Sequence, residues 1–580
     1  MLLAAIEWRA MPAVRANLIE EDGAYWASLA GALARGDWAH GLSTAWPPGY
    51  PALIAVLAWV ARGASHPAML EGCARFVSVI AGTLVLIPLF GLARRVLPET
   101  PARAVVLLAA FHPRLTSFSA MALSESTFTL FLIAGLASLA AAEDDTLAGG
   151  ARAVREGLAG LALGASYLVR PEGLLLGIGL WVVGLMRGRT LIARLRPAFV
   201  VTLVLAALPY LLFVHARLGT WSLGEKGAYN FWRAYRTEYA QVYPSPTHLA
   251  HRVNESPEIA GDPIRPEAPP DPDQVRDPRV GGLPAPDQVR DPRGHGGPDA
   301  ERVHMLGFAL ERPGLVIGSS LRRLARIVFD TIPTTLYWPI ALLALLGFAG
   351  ARSGPWWIVV TPLALSPLLY APFSTDRRFF VPLVPLLLIA CGQGLRWLDE
   401  RWPARGTEGV PVPASPPRLG RIARPVAMML VLYSIAWSLW LLREQYPAKE
   451  QRAMGEWLRH AWADPAQRAQ LSGVANVPGA ASVGGSARPI VAARKPWVAF
   501  YSGGLIAELP DTLPGRLAAL SDLHGPVFVV ADARSARSDR PQLTPLLDPA
   551  GAPGTLALVH RIETPAPILL YRVAADAAPR

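Results

Sequence analysis

The sequence predicts a polytopic α-helical membrane protein that ends in a small α/β domain. Three observations carry this reading. The chain of 580 residues is 52% hydrophobic and only 17% charged, with a mean hydropathy of +0.30. Soluble domains of that length carry more charge. Apolar runs of about 20 residues, the length that crosses a bilayer as helix, recur from residue 70 onward. Beyond residue 445 they give way to short strand-like runs, PVFVVADA and APILLYRV, alternating with a helical DTLPGRLAALSDL. That alternation is the pattern of a soluble α/β domain.

The formal net charge of +11 invites a nucleic-acid reading. Most of the arginines, however, fall in short loops between apolar runs, where the positive-inside rule accounts for them. The chain has two cysteines, Cys73 and Cys391. Both lie inside hydrophobic segments, which excludes a disulfide framework and a cysteine-based metal cluster.

In chain order, residues 1–19 are too short and too polar to span, yet the acidic loop after them must lie outside. Either a further transmembrane helix is encoded upstream of Met1, which is the expectation favoured here, or that helix is absent. Residues 20–63 form the first outer loop. Pro47-Pro48 stops its helical run, and residues 51–63 are read as an interfacial helix too short to cross. A first span at 70–93 ends in Arg94-Arg95, and with Arg103 this marks a cytoplasmic loop. Spans follow at 104–122 and 126–142, then at 156–169 and 171–187 with the break LVRPEG between them, then at 198–215. Residues 216–240 are polar-aromatic and external. Residues 244–300, in which PDQVRDPR occurs twice, lack the apolar content for a core and are read as a disordered periplasmic insert. Spans resume at 325–349, 355–372, 379–395 and 425–443. The count is ten spans, with an eleventh expected before the start. The membrane domain covers 1–443 and the soluble periplasmic domain 444–580.

The candidate functional residues are charges placed where they are costly. The outer loop opens with Glu20-Glu21-Asp22 in EEDGAYWASLAGALARGDWAHGLSTAWPPGYP (20–51). Asp22 stands three residues before Tyr25 and four before Trp26, so one helical turn sets an acid and aromatics on one face. Glu20 is expected to be solvated and replaceable. Glu125 stands at the mouth of the span 126–142, where together with Ser124 it can cap the helix it opens, with Arg114 as one possible partner. Arg170 and Glu172 flank Pro171, either as a self-contained hinge pair or with Arg170 meeting an anionic substrate. Arg377 and Arg378, in STDRRFFVPLVPLLL, lie outside against the positive-inside bias. They are either helix-end anchors or phosphate ligands, for which Arg is chemically suited. Lys226 and Arg233 are further candidates.

The order of acid, Tyr, small-residue helix, Gly and Pro-Pro-x-Tyr-Pro resembles the first periplasmic loop of the polyprenyl-phosphate-sugar-dependent glycosyltransferases. These are membrane GT-C enzymes related to protein O-mannosyltransferases and to the lipid A aminoarabinose transferase. The run Arg378-Phe379-Phe380-Val381-Pro382-Leu383-Val384-Pro385 is similar to their late Arg-aromatic-x-x-Pro-x-x-Pro signature. The resemblance implies a GT-C fold on the outer face of a bacterial inner membrane. It makes Asp22 the catalytic carboxylate, with Glu21 as the alternative register, and Glu125 a second acid facing the same cavity. It implies that Arg170, Arg377 and Arg378 attend the donor phosphate, with Tyr25 and Lys226 among the substrate-binding residues. The implied partners are a polyprenyl-phosphate sugar, membrane lipid, and a lipid, polysaccharide or protein acceptor, with no nucleic acid. No cofactor enters the scheme, and it does not require a divalent metal. A transporter or lipid flippase would use similar intramembrane charges, but the sequence shows no inverted repeat to favour it. A binding or assembly protein acting through its C-terminal domain is the other rival.

Overall fold

A computed structural model describes residues 2–235, 307–401, 423–441, 449–472, 488–509, 526–563 and 566–573, less 17, 65, 145, 188–194, 351–353 and 539–540. The insert at 244–300 and the helix expected at 511–523 lie outside these residues. The chain divides into one unit of Met1–Arg217, Trp221–Pro244 and Ala309–Pro447, and a second that contains Ala448–Arg580.

The first unit is helical. Its elements are α1 (Leu2–Arg15), α2 (Glu21–Ala34), α3 (Trp38–Gly41), α4 (Gly49–Val60), α5 (Pro67–Leu84), α6 (Leu86–Val96), α7 (Glu99–Phe111), α8 (Pro113–Ala120), α9 (Glu125–Ala142), α10 (Gly149–Val169), α11 (Glu172–Arg187), α12 (Pro197–Leu218) and α13 (Lys226–Ala234). After the insert come α14 (Pro313–Arg326), α15 (Ile332–Leu336), α16 (Trp338–Gly350), α17 (Trp356–Tyr370), a 3-10 turn at Arg377–Leu383, α18 (Val384–Arg401) and α19 (Ala423–Leu441). The protein is thus a multi-pass membrane protein. Among the described residues, four segments are long and apolar enough to cross a bilayer: Pro67–Val96, Glu125–Ala142, Pro197–Leu218 and Arg377–Arg401. The bent pair Pro313–Leu336 and Trp338–Gly350 makes a fifth.

Several expected spans are broken, and prolines explain where. The run 104–122 divides into α7 and α8 at His112, which leaves the helical region (φ −62°, ψ 123°) because Pro113 follows it. The run 325–349 turns through 116° at Tyr337, whose φ of +67° is a strained conformation for a bulky residue. Pro339, in the first turn of α16, needs no hydrogen bond there and starts the new helix. Arg9 of α1 is fully buried and caps carbonyls at the α7–α8 break. It donates to Ala109 O at 2.9 Å and to Ser119 Oγ at 2.6 Å. Helices α16 and α18 pack backbone to backbone. A Cβ on Gly347 would lie 1.8 Å from Ala390 O, so only glycine fits.

The second unit is α/β. Its five strands, β1 (Ile490–Ala493), β2 (Leu505–Glu508), β3 (Val527–Asp532), β4 (Leu556–Ile562) and β5 (Ile568–Val573), lie in the order β2-β1-β3-β5-β4. β1 is parallel to β2 and β3, while β5 runs antiparallel between β3 and β4. The two strand-like runs read from the sequence are β3 and β5, paired from Phe528↔Arg572 to Asp532↔Ile568. Phe528 and Val530 face one apolar cluster with Met454 and Leu458, and Val527 and Val529 face another with Leu543 and Leu546. Both faces of β3 are covered, which is why it reads as a continuous apolar run rather than an alternating one.

Candidate active site

The site is built where α2 begins. Asp22 is the second residue of α2, at the end where a helix favours negative charge. Gly23 lets this end approach the loop before Glu125, for a Cβ there would lie 2.7 Å from Ala122 O. The Asp22 carboxylate accepts from Arg378 Nη2 at 2.7 Å, and Lys226 Nζ stands 3.8 Å from the same Oδ2. Arg378 arrives from the 3-10 turn, whose Asp376 carboxylate accepts its backbone N–H at 3.0 Å.

Lys226 is brought in by the 43–46 segment. Tyr210 on α12 donates to Ser43 O at 2.9 Å, Thr44 Oγ1 donates to Glu225 Oε2 at 2.9 Å, and Glu225 N donates to Thr44 O at 3.1 Å. Gly224, at φ +141°, permits the close pass over Thr44 O. The ammonium of Lys226 then sits 3.3 Å from the centre of the Trp46 ring, a cation–π contact, and Tyr25 stacks on the same indole with ring centres 5.9 Å apart.

A second group of charges adjoins the first. Arg170, at the break between α10 and α11, donates to Glu125 Oε1 at 2.9 Å and to Glu172 Oε1 at 2.7 Å. The Tyr370 hydroxyl donates to the same Glu172 oxygen. Phe379 separates the two groups, with the guanidinium of Arg170 at 5.3 Å from its ring centre and that of Arg378 at 5.2 Å. Glu125 is 2% exposed, and among the described residues its Oε2 has no hydrogen-bond partner.

Burial alone would raise the Asp22 carboxyl, but Lys226 and Arg378 outweigh it and hold the pKa at about 2. Burial pushes Lys226 down to about 8, although Asp22 opposes the shift. Asp22 keeps 23% of its side-chain surface accessible, so the ion pair is desolvated yet open to a ligand.

Asp22, Lys226 and Arg378 therefore meet in one cluster, with Arg170, Glu125 and Glu172 beside it. Asp22 carries the contacts to Arg378 and Lys226, and Glu21 lies half-buried one position earlier. Tyr25 reaches the cluster through Trp46. Arg377 does not join Arg378 at Asp22; it is exposed and acts electrostatically on Tyr337. Arg233 is exposed on α13. Glu125 meets Arg170 rather than Arg114, and no side-chain capping bond from Ser124 accompanies it.

Glu20 corrects the sequence reading. It is 7% exposed, accepts from Arg75 Nη1 at 3.3 Å and takes the Ala122 N–H at 2.7 Å. Removing one partner of such a buried pair costs about 3–5 kcal/mol. Charge density alone does not distinguish a buried acid from its partly open neighbours.

No protein-family model matches this chain, and no curated protein is significantly similar to it in sequence. Solved structures are similar in fold over its whole length. ArnT from Cupriavidus metallidurans bound to undecaprenyl phosphate aligns with 100% of this chain and 98% of its own, at a TM-score of 0.52 and 13% identity. The oligosaccharyltransferase of Archaeoglobus fulgidus in the apo form aligns with 100% of this chain and 75% of its own, at a TM-score of 0.54 and 13% identity. The same organism's AglB, in complex with an inhibitory peptide and a dolichol-phosphate, aligns at a TM-score of 0.51 and 12% identity, again over 100% of this chain and 75% of its own.

The chain has the GT-C fold.

In this GT-C chain, Trp46, Phe379, Tyr370 and Arg75 are the site residues that sequence reasoning missed. Trp46 carried one usable signal, since it immediately precedes the Pro47-Pro48 stop in the acidic loop. Phe379 was inside the quoted Arg-aromatic run. Tyr370 and Arg75 look like ordinary span residues, and nothing in their spacing sets them apart. Among the described residues, no three His, Cys, Asp or Glu side chains come together as a ligand set.

Proposed function

We propose that this protein is a membrane glycosyltransferase that moves a sugar from a polyprenyl-phosphate donor to an acceptor hydroxyl at the outer membrane face. The observation that carries the reading is Asp22 bracketed by Arg378 at 2.7 Å and Lys226 at 3.8 Å. The whole-chain likeness to ArnT bound to undecaprenyl phosphate and to AglB with a dolichol-phosphate supports it.

The chemistry follows from the three groups. In the empty site Asp22 is a weak base, because two cations hold its pKa at about 2. An arriving donor phosphate competes for the same cations. Once Arg378 and Lys226 turn to it, the carboxylate loses its stabilising charges and its pKa rises. Asp22 then accepts the proton of the acceptor hydroxyl as that oxygen bonds to the anomeric carbon. The bond from that carbon to the phosphate oxygen breaks, and its electron pair leaves with the phosphate. Arg378 and Lys226 stabilise the growing negative charge in a site partly shielded from water. Burial of the prenyl chain in lipid supplies binding at about 0.8 kcal/mol per methylene. Arg170 is committed to Glu125 and Glu172. It therefore holds these two acids beside the cluster and adds positive potential at Asp22.

The test uses the full chain in lipid nanodiscs with a 32P-labelled extract of polyprenyl-phosphate sugars and a membrane acceptor fraction. The expected result is acceptor-dependent release of free polyprenyl phosphate, lost in Asp22→Asn. Absence of release with lipid, polysaccharide and protein acceptor fractions alike refutes the reading.

A further inference from the structure

From the structure we infer that Arg75, in the middle of α5, is the positioning residue that sets both Asp22 and Glu125 in place. The inference rests on the transferase reading above and deepens it.

Arg75 is 6% exposed and uses all three guanidinium nitrogens. Nε and Nη2 both donate to Glu71 Oε1 at 3.1 Å, one turn earlier on α5. Nη2 also donates to Leu18 O at 2.7 Å, and Nη1 donates to Glu20 Oε1 at 3.3 Å and to Ala120 O at 2.8 Å. One planar group thus grips two chain segments far apart in sequence. One is the 18–20 segment that leads into α2, and the other is the end of α8.

The two segments are also tied to each other. Glu20 Oε2 accepts the Ala122 N–H at 2.7 Å, and Gly23 rests against Ala122 O. One turn further along α5, Ser78 Oγ donates to Leu123 O at 3.0 Å and lies 2.9 Å from the hydroxyl of Tyr50, the tyrosine of the Pro-Pro-Gly-Tyr-Pro hinge. The face of α5 that presents Glu71, Arg75 and Ser78 therefore holds Leu18, Glu20, Ala120 and Leu123. Asp22 follows Glu20 by two residues, and Glu125 follows Leu123 by two. Neither acid touches Arg75, and both inherit their positions from it. A guanidinium suits this role because its rigid fork fixes several acceptors at once, which an ammonium cannot do.

A purely structural arginine would lower the amount of folded protein and leave the turnover of each folded molecule intact. A positioning arginine lowers turnover at unchanged donor affinity, and it does so through Asp22. The test measures turnover by release of polyprenyl [32P]phosphate and affinity by titration with undecaprenyl phosphate. The variants are Arg75→Gln, Arg75→Lys, Asp22→Asn and each Arg75 change combined with Asp22→Asn, all normalised to folded protein by size exclusion.

The expected results are a ten-fold or greater fall in turnover for Arg75→Gln, a smaller fall for Arg75→Lys, and affinity for undecaprenyl phosphate within about three-fold of the parent for both. Each double variant should turn over no more slowly than Asp22→Asn alone. If Arg75→Gln does not fold, Arg75→Lys still decides the matter, with a three-fold or greater fall that vanishes in the Asp22→Asn background. Full turnover of Arg75→Lys, or losses that multiply with that of Asp22→Asn, overturns the positioning role. Full turnover of Asp22→Asn by itself overturns instead the base assignment on which the inference rests.

Discussion

Replacing Asp22 by Asn separates the two jobs assigned to it, because donor affinity and turnover should move in opposite directions. The carboxylate competes with the donor phosphate for Arg378 and Lys226. Its pKa falls from 3.8 to about 2. That net depression, left after the effect of burial has been overcome, favours the charged form by about 2.5 kcal/mol. The sign is that of a depressed acid: the stabilisation is present above pH 3.8 and is lost as the pH falls through about 2, so it is fully in place at neutral pH. Asn keeps the shape but carries no charge, and both cations become available to phosphate. Affinity for undecaprenyl phosphate should therefore rise, by about five-fold or more. Turnover should fall by about a hundred- to ten-thousand-fold, the contribution of a positioned base. The assay is isothermal titration of undecaprenyl phosphate into nanodisc-embedded protein, run beside the release assay. Weaker or equal binding by Asp22→Asn refutes the exchange of carboxylate for phosphate. Retained turnover refutes the base.

Three further outcomes follow from the same geometry. Lys226 loses its proton at about pH 8, so undecaprenyl phosphate affinity should decline between about pH 7.5 and about pH 9.5, and Lys226→Arg should flatten that decline; a parent profile that is already flat refutes the contact. Arg378→Gln should weaken undecaprenyl phosphate binding by about ten-fold or more, the worth of one charge-assisted hydrogen bond. Arg377→Gln should leave binding within about two-fold, because Arg377 is exposed and acts on Tyr337, and equal losses in the two variants would show that they act as a pair. Gly347→Ala should destabilise the α16–α18 packing by about 1–3 kcal/mol, since its Cβ would lie 1.8 Å from Ala390 O; a melting temperature unchanged in detergent would show that these helices can separate.

The membrane character of the chain and the strand character of β3 and β5 in a C-terminal α/β domain were legible in the sequence. Both follow from the spacing of apolar residues, which local sequence carries in full. The break at Pro171 was legible, but the runs 104–122 and 325–349 read as unbroken spans: Pro113 and Pro339 stand at their breaks, while the 116° turn at Tyr337 is set by what packs around it. In the site, Asp22, Lys226, Arg170, Glu125 and Arg378 could be named from charge out of place. Their partners could not. Arg378 and Asp22 are joined across more than three hundred residues, and so the two adjacent arginines, indistinguishable in sequence, take different directions. Glu20 and Asp22, two positions apart, differ in the same way: one is turned inward onto Arg75 and the other meets Lys226 and Arg378. A row of carboxylates specifies charge, but desolvation and pairing depend on which helices close over each one, and only the tertiary structure decides that.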